Sequence, residues 1–312
     1  MAPAEIQKLA FFGSTGSTGS AVLKSLLSNT NKSTKIHVFV RSARQLKLLF
    51  PGIESYSHVE ITEGQLSDHA LMVHCLSGAT HIMCTIGSND NQPGMRMHRD
   101  AVEAILAALS ELHEKGAAGG TWRRPHMTFP SSESISEKLS SHRPAWVHWL
   151  IMNSLNHIYF DLATAEKKLT SSSLVTVTLF HAPFLFEGAH SGYTISIDEP
   201  AESTSYGDLG AAMAKVAFLP AEADIQAVTV ASHKPMALGP RSVEQVRRLT
   251  NGILGRFVPG YWSLPGWSCV HKYGDEGAVD RKNDVDIYKA RYVCEVQTWF
   301  SALRPISSSF SC

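Results

Sequence analysis

The stretch Lys8-Leu-Ala-Phe-Phe12-Gly13-Ser14-Thr15-Gly16-Ser17-Thr18-Gly19 decides the fold. An apolar run leads into three glycines spaced three and three, and Ala21-Val-Leu-Lys-Ser-Leu-Leu27 follows with helical spacing. Each glycine in such a loop has its own task. The first allows a tight strand-to-helix turn, the second lets the backbone approach a pyrophosphate, and the third lets helix and strand pack closely. Backbone N–H groups at the helix start then hold the anion. The composition alone would also suit a Gly/Ser linker. The flanking strand and helix patterns decide for dinucleotide binding. A P-loop is excluded, because no Gly-Lys-Ser/Thr follows.

Working outward, strand and helix patterns alternate. Ile36–Val40, Val59–Thr62, His81–Ile86, Pro125–Phe129 and Leu174–Leu179 read as strands. The segments at 43–50, 70–76, 99–112 and 145–169 read as helices, with Pro51-Gly52 and Gly78 as stops and Pro130 closing the fifth strand. This alternation specifies an α/β fold with a parallel sheet and right-handed crossovers. Gly116-Ala-Ala-Gly-Gly120 reads as a flexible insertion. The division expected is residues 1–240 for the nucleotide-binding domain, with pocket segments from 145–205, and residues 241–312 for a more irregular C-terminal substrate lobe.

The 312 residues carry 28 basic and 28 acidic side chains, so the formal net charge is zero. Nucleic-acid binding needs a basic excess on one face, and the overall balance offers none. No apolar run approaches a membrane span and no basic amphipathic helix is evident, so no membrane partner is expected. Five cysteines without a C-x-x-C pair suggest neither zinc nor a disulfide framework, and no histidine–carboxylate pattern suggests another metal. Cys75 and Cys84, in apolar surroundings, read as buried thiols of a reduced, cytoplasmic protein.

Cofactor choice is read after the second strand. NAD-binding proteins place a carboxylate there for the ribose 2′-hydroxyl. Here the sequence is Phe39-Val40-Arg41-Ser42. Arg41 matches a 2′-phosphate, with Arg44 as a second candidate, so NADP(H) is expected rather than NAD(H).

The glycine loop, Val40-Arg41, Gly64-Gln-Leu-Ser-Asp68, Ser131-Ser132, Asp161…Ala165-Glu166…Leu169 and Ser205-Tyr-Gly-Asp-Leu209 occur in the order seen in atypical short-chain dehydrogenase/reductases. Over residues 8–260 the chain resembles the NmrA-like group, and within it the averufin oxidase-like oxidoreductases of fungal polyketide pathways. The resemblance implies a Rossmann-type doubly wound parallel sheet with a small C-terminal substrate lobe. It also implies an oxidoreductase role in secondary metabolism, on a small aromatic polyketide of anthraquinone or xanthone type, as a monomer or homodimer. By position, it implies that Gly13, Ser14, Thr15, Gly16, Ser17, Thr18 and Gly19 wrap the pyrophosphate and that Arg41 meets the 2′-phosphate. Gln65 and Leu66 would flank the adenine, Thr85 and Ile86 would border the nicotinamide ribose, and Ser131 or Ser132 would orient substrate.

The chain departs from the parent superfamily at its catalytic helix. Tyr-x-x-x-Lys places an ammonium beside a phenol and lowers the phenol pKa. Here Tyr159 is followed at that step by Ala163, and Lys167 lies roughly 12 Å along the helix. The four-residue step instead joins His157 to Asp161. A carboxylate beside an imidazole suits a general acid or base, so His157 oriented by Asp161 is the expected proton donor, with Ser132 or Tyr159 holding a carbonyl. The same spacing serves equally as a structural helix pair, and Tyr159 serves equally as pocket wall. Trp146, Trp149, His181, Tyr261, Trp262 and Trp267 read as pocket or core. Three functions stay open: an NADP(H)-dependent oxidoreductase, a non-redox isomerase, cyclase or dehydratase, and a catalytically silent NADP-binding regulator.

Overall fold

The computed structural model describes residues 7–28, 34–88, 91–117, 122–218, 226–234 and 240–263. The chain runs through β1 (Gln7–Phe12), α1 (Ser17–Ser28), β2 (Thr34–Val40), α2 (Ala43–Leu49), β3 (Val59–Glu63), α3 (His69–Leu76) and β4 (His81–Cys84). It continues through α4 (Met97–Ala117), β5 (His126–Ser132), α5 (Glu137–Ser140), α6 (Ala145–Ser154), α7 (Asn156–Thr170) and β6 (Thr176–Ala182). Then follow β7 (Phe184–Phe186), β8 (Tyr193–Ser196), β9 (Ser203–Ser205), α8 (Tyr206–Val216), β10 (Ala227–Ser232) and α9 (Pro240–Phe257).

Eight strands form one sheet in the order β3-β2-β1-β4-β5-β6-β10-β8. All neighbours are parallel except β8, which runs antiparallel to β10 at the edge. This is the parallel sheet that the alternation predicts, in the Rossmann-type doubly wound arrangement that the resemblance implies. Strand order reverses between β1 and β4, where such sheets open a crevice for ligands beyond the strand C-termini.

Central position explains the composition of β1, which is covered on both faces and reads as a continuous apolar run. Its residues Leu9 to Phe12 have no solvent exposure. Alternate side chains enter opposite layers: Leu9 and Phe11 pack with Val22, Leu209 and Met213, whereas Ala10 and Phe12 pack with Met72, Ile105 and Leu162. In the first layer α8 lies close on α1, because a Cβ at Gly210 would stand 2.6 Å from the Ala21 backbone.

Two sequence expectations are revised. Pro130 does not close β5, which runs to Ser132. Pairing with β4 ends at Thr128, and beyond it only β6 is paired. A residue without an N–H is tolerated where one side of its strand has no neighbour. The helical region 145–169 is two helices, broken at Leu155. The break has a long-range cause: the Asn91 side chain accepts hydrogen bonds from the backbone N–H groups of His157 (2.8 Å) and Ile158 (3.1 Å), capping α7.

The chain divides into two compact units, Met1–Ile253 and Leu254–Cys312. In the second, the Tyr261 and Trp262 rings meet edge to face with centroids 5.5 Å apart. Trp267 and part of the Gly116–Gly120 segment lie outside the described residues. Among the described residues no helix is long and apolar enough to cross a membrane.

Candidate active site

The glycine loop joins β1 to α1 at the C-terminal edge of the sheet. Gly13 has φ +84°, and a Cβ there would lie 2.6 Å from the backbone of Thr85 and Ile86. A Cβ at Gly19 would collide with the Gly13 carbonyl and lie 2.6 Å from the Thr85 hydroxyl. Gly16 differs: its nearest neighbour would be the Gly13 oxygen at 3.6 Å, so its missing side chain leaves open space. Thr15 and Thr18 are half-buried and Ser17 is exposed, at the end of α1 where the first N–H groups lack intrahelical acceptors. Ser14 is fully buried, and its Oγ has no hydrogen-bond partner. An open glycine, a helix N-terminus and an orphaned buried hydroxyl together fit a dinucleotide pyrophosphate.

Thr85 has a structural part here, since its hydroxyl donates to the carbonyls of Phe12 (3.2 Å) and Gly13 (3.1 Å). It ties β4 to the loop. Arg41 follows β2 and is exposed, and no carboxylate among the described residues pairs with it. Ser42 caps α2 by accepting from the Gln45 N–H at 3.2 Å. Leu66, after β3, packs on the second core layer, and the preceding turn is fixed by the Gln65 N–H donating to Asp68 at 2.6 Å.

At the C-terminal ends of β5 and β6 the hydroxyls of Ser132 and Tyr159 approach to 3.5 Å. The neighbouring Ser131 hydroxyl meets the carboxyl of Glu166 and accepts from the Ser132 N–H at 2.5 Å. Glu166 lies seven residues after Tyr159 on α7, which returns it to nearly the same helix face. His181 of β6 completes the cluster, with Nε2 3.8 Å from the Glu166 carboxylate oxygen. Burial pushes the Glu166 carboxyl up to about 7 and lowers the pKa of His181. Sequence reading missed Glu166 as a functional candidate, although its seven-residue step from Tyr159 was available.

The carboxylate expected to orient His157 is held by donors from α4. Asp161 is fully buried and accepts from the His98 backbone N–H (2.8 Å), His98 Nδ1 (3.0 Å), the Arg99 backbone N–H (3.3 Å) and Arg99 Nε (2.7 Å). Burial alone would raise its pKa, but these donors outweigh it and hold the carboxyl at about 2. Asp161 therefore anchors the start of α4. His157 sits in the first turn of α7, where its backbone N–H is one of the two that the Asn91 side chain caps.

Other buried charges shape the surroundings. Glu133 accepts from Arg143 (2.9 Å) and from the Ala201 N–H (2.7 Å), fastening the segment after β5 to the one before β9. Asp208, fully buried, accepts from His190, Ser191, Ser205 and Ser232 and holds the 190–192 turn. Trp146 and Trp149 are 70% and 54% exposed, so α6 turns both away from the core. His37, Glu60 and His74 bring possible metal-ligand atoms within 4.8 Å of one another, but His37 Nε2 already lies 2.7 Å from the Thr62 hydroxyl.

Comparison with known proteins agrees with this geometry. Residues 13–115, from the glycine loop into the last turn of α4, match the NAD(P)H-binding family. Oxidoreductase tpcG of Aspergillus fumigatus is 31% identical over 252 residues, covering 80% of this chain and 92% of that protein. The chain belongs to this family of fungal oxidoreductases. Another member, oxidoreductase claK of Passalora fulva, is 32% identical over 68% of this chain and 79% of its own length. Oxidoreductase stcQ of Emericella nidulans is 29% identical over 82% and 93%. Among solved structures, a short-chain dehydrogenase/reductase from Veillonella parvula in complex with NADP superimposes with a TM-score of 0.57. It is 15% identical over 74% of this chain and 99% of that one, a likeness of fold.

Proposed function

We propose that this member of the family is an NADP(H)-dependent reductase of atypical short-chain type, acting in the cytosol on a carbonyl of an aromatic polyketide of anthraquinone or xanthone class. The observation that carries the reading is the Ser132–Tyr159 hydroxyl pair at the strand C-termini, in the sheet that carries the glycine loop. When bound, the nicotinamide supplies hydride, and the protein must supply position and a proton. The Gly13–Gly19 backbone and the Ser14 hydroxyl hold the pyrophosphate, and Arg41, which has no carboxylate partner among the described residues, favours a 2′-phosphate. Leu66 offers an apolar edge to the adenine. Ser132 donates a hydrogen bond to the substrate carbonyl oxygen, and Tyr159 donates the proton that the oxygen acquires. Fungal relatives called oxidoreductases support the redox class, and the resemblance to polyketide-pathway proteins supports the substrate.

The test is NADPH consumption with soluble anthraquinones and xanthones. Tyr159→Phe should lower kcat by about 10²–10⁴-fold while leaving NADPH affinity unchanged, the usual range for a lost proton donor. Arg41→Ala should weaken NADPH about tenfold or more and leave NADH unaffected. Equal affinity of the native protein for both dinucleotides removes Arg41 from its role. Ala163, where a lysine is usual, favours a second reading: proton transfer without redox. Conversion of a polyketide intermediate without any nicotinamide would establish that alternative.

A further inference from the structure

The Ser132–Tyr159 pair lacks the lysine that usually accompanies such a tyrosine, yet a titratable group does stand behind it. Glu166 is on the same face of α7, two turns on, with a side chain only 14% exposed. Its carboxyl meets the Ser131 hydroxyl, and that hydroxyl in turn receives the Ser132 N–H. The contacts therefore run without a gap from Glu166 to the backbone of the residue that faces Tyr159.

The charges around Glu166 can be followed element by element. From β6 comes His181, its one ion-pair neighbour among the described residues. From β5 come the uncharged Ser131 and Ser132. From α4, Arg99 is engaged by Asp161 and Glu103 by Lys168. On α7 itself Lys167 is exposed and Lys168 is taken by Glu103. Nothing on these elements fixes a permanent negative charge on Glu166, in contrast to Asp161 on the same helix.

We propose, resting on the reductase reading above, that Glu166 is a positioning residue of the reaction centre: through Ser131 it sets Ser132 against Tyr159, and it does so in its protonated, uncharged form. The sign follows from the chemistry. Hydride addition leaves negative charge on the substrate oxygen until Tyr159 delivers its proton, and Tyr159 is itself left anionic. A neutral carboxyl behind Ser131 does not oppose either charge. An ionised one repels both, and its buried charge draws Ser131, and with it the Ser132 N–H, toward itself. Reduction is fastest while Glu166 keeps its proton and falls as that proton is lost near neutral pH.

The test is the pH profile of kcat for the native enzyme, Glu166→Gln, Glu166→Asp and Ser131→Ala, with NADPH and an aromatic ketone. The native profile should fall about tenfold per pH unit above a midpoint near 7, as loss of one essential proton requires. Glu166→Gln keeps an acceptor for Ser131 but cannot ionise, so that limb disappears, with KM and NADPH affinity within about twofold. Glu166→Asp should retain a limb at a shifted midpoint, and Ser131→Ala should lower kcat and uncouple it from Glu166. A Glu166→Gln enzyme with the native limb overturns the proposal. A readout independent of turnover covers the case in which no ketone is reduced, which would defeat the reductase reading itself. With ¹³C-labelled tyrosine, the Tyr159 ring resonance of the unliganded protein should move with a midpoint near 7 and cease to move in Glu166→Gln. A Tyr159 signal indifferent to Glu166 ionisation sinks the coupling.

Discussion

At Gly19 a side chain would collide with the Gly13 carbonyl, a backbone atom that cannot swing aside, and would press on the Thr85 hydroxyl. At Gly16, three residues earlier, the nearest obstacle stands at an ordinary 3.6 Å. One substitution therefore separates two roles within one loop. Gly19→Ala should destabilise the protein by about 2 kcal/mol or more, because overpacking against backbone forces the strand–helix junction apart. Gly16→Ala should leave stability within about 0.5 kcal/mol, as expected at an unobstructed position. It should nonetheless weaken NADPH binding severely, since the methyl group takes the space a pyrophosphate needs. Thermal unfolding without and with NADPH measures both effects. A Gly16→Ala protein stabilised by NADPH as strongly as the native one would move the binding site away from the loop. The three glycines were legible in the sequence because each answers a local requirement of backbone geometry. The assignment of Asp161 to His157 was not secure for the opposite reason: helical spacing brings two residues to one face, but it does not say which side chain of another element will reach the carboxylate first.

Helix α4 begins where Asp161 of α7 receives two backbone N–H groups and two side-chain donors. A carboxylate at a helix N-terminus opposes the positive end of the helix and caps its unsatisfied donors. Its folded pKa is held near 2, below the unfolded value of 3.8. A depressed carboxylate adds stability above its unfolded pKa and loses it as pH falls through the folded one, so this contribution fades between about pH 4 and 2. Its size is on the order of 2 kcal/mol, since each tenfold change in proton affinity is worth roughly 1.4 kcal/mol. Asp161→Ala should cost more, about 3 kcal/mol at neutral pH, because it strips the half-buried Arg99 of its carboxylate partner and leaves the α4 N–H groups without their cap. Its unfolding free energy should also lose part of its acid dependence in that window, which urea titrations at pH 2.5 and 6 would reveal. An unchanged dependence would place the acid-sensitive group elsewhere. The same contact explains why elements were more legible than their ends. Strand and helix identities follow from periodicity, which is local. The break at Leu155 depends on Asn91, 64 positions away in the chain, and the extension of β5 through Pro130 depends on where β4 stops. The short strands β7 to β10 carry Ser, Thr and Phe without sustained alternation, so only their pairing defines them.

Across the molecule one sheet serves two apolar layers, and neighbouring residues such as Phe11 and Phe12 belong to different ones. Neither layer can open without uncovering the sheet that the other also needs, so the unit from Met1 to Ile253 should unfold cooperatively. The two buried thiols report on this directly. Cys84 lies at the end of central strand β4, Cys75 on α3 against the outer half of the sheet, and both have no exposure. Burial pushes each thiol up to about 12, so at pH 8 essentially no thiolate is present and none is accessible. In native conditions neither should react with an alkylating reagent except through unfolding. Labelling followed by peptide mass analysis should give Cys75 and Cys84 the same opening free energy, and that value should equal the global one from denaturant unfolding. If Cys75 labelled more than about tenfold faster, α3 would be opening on its own, and stability would be partitioned between the half of the sheet under α3 and the half that carries Ser132. Equal rates would instead mean that the glycine loop and the hydroxyl pair, two strands apart, share a single cooperative support, and that substitutions at Gly19 and Asp161 weaken both halves together.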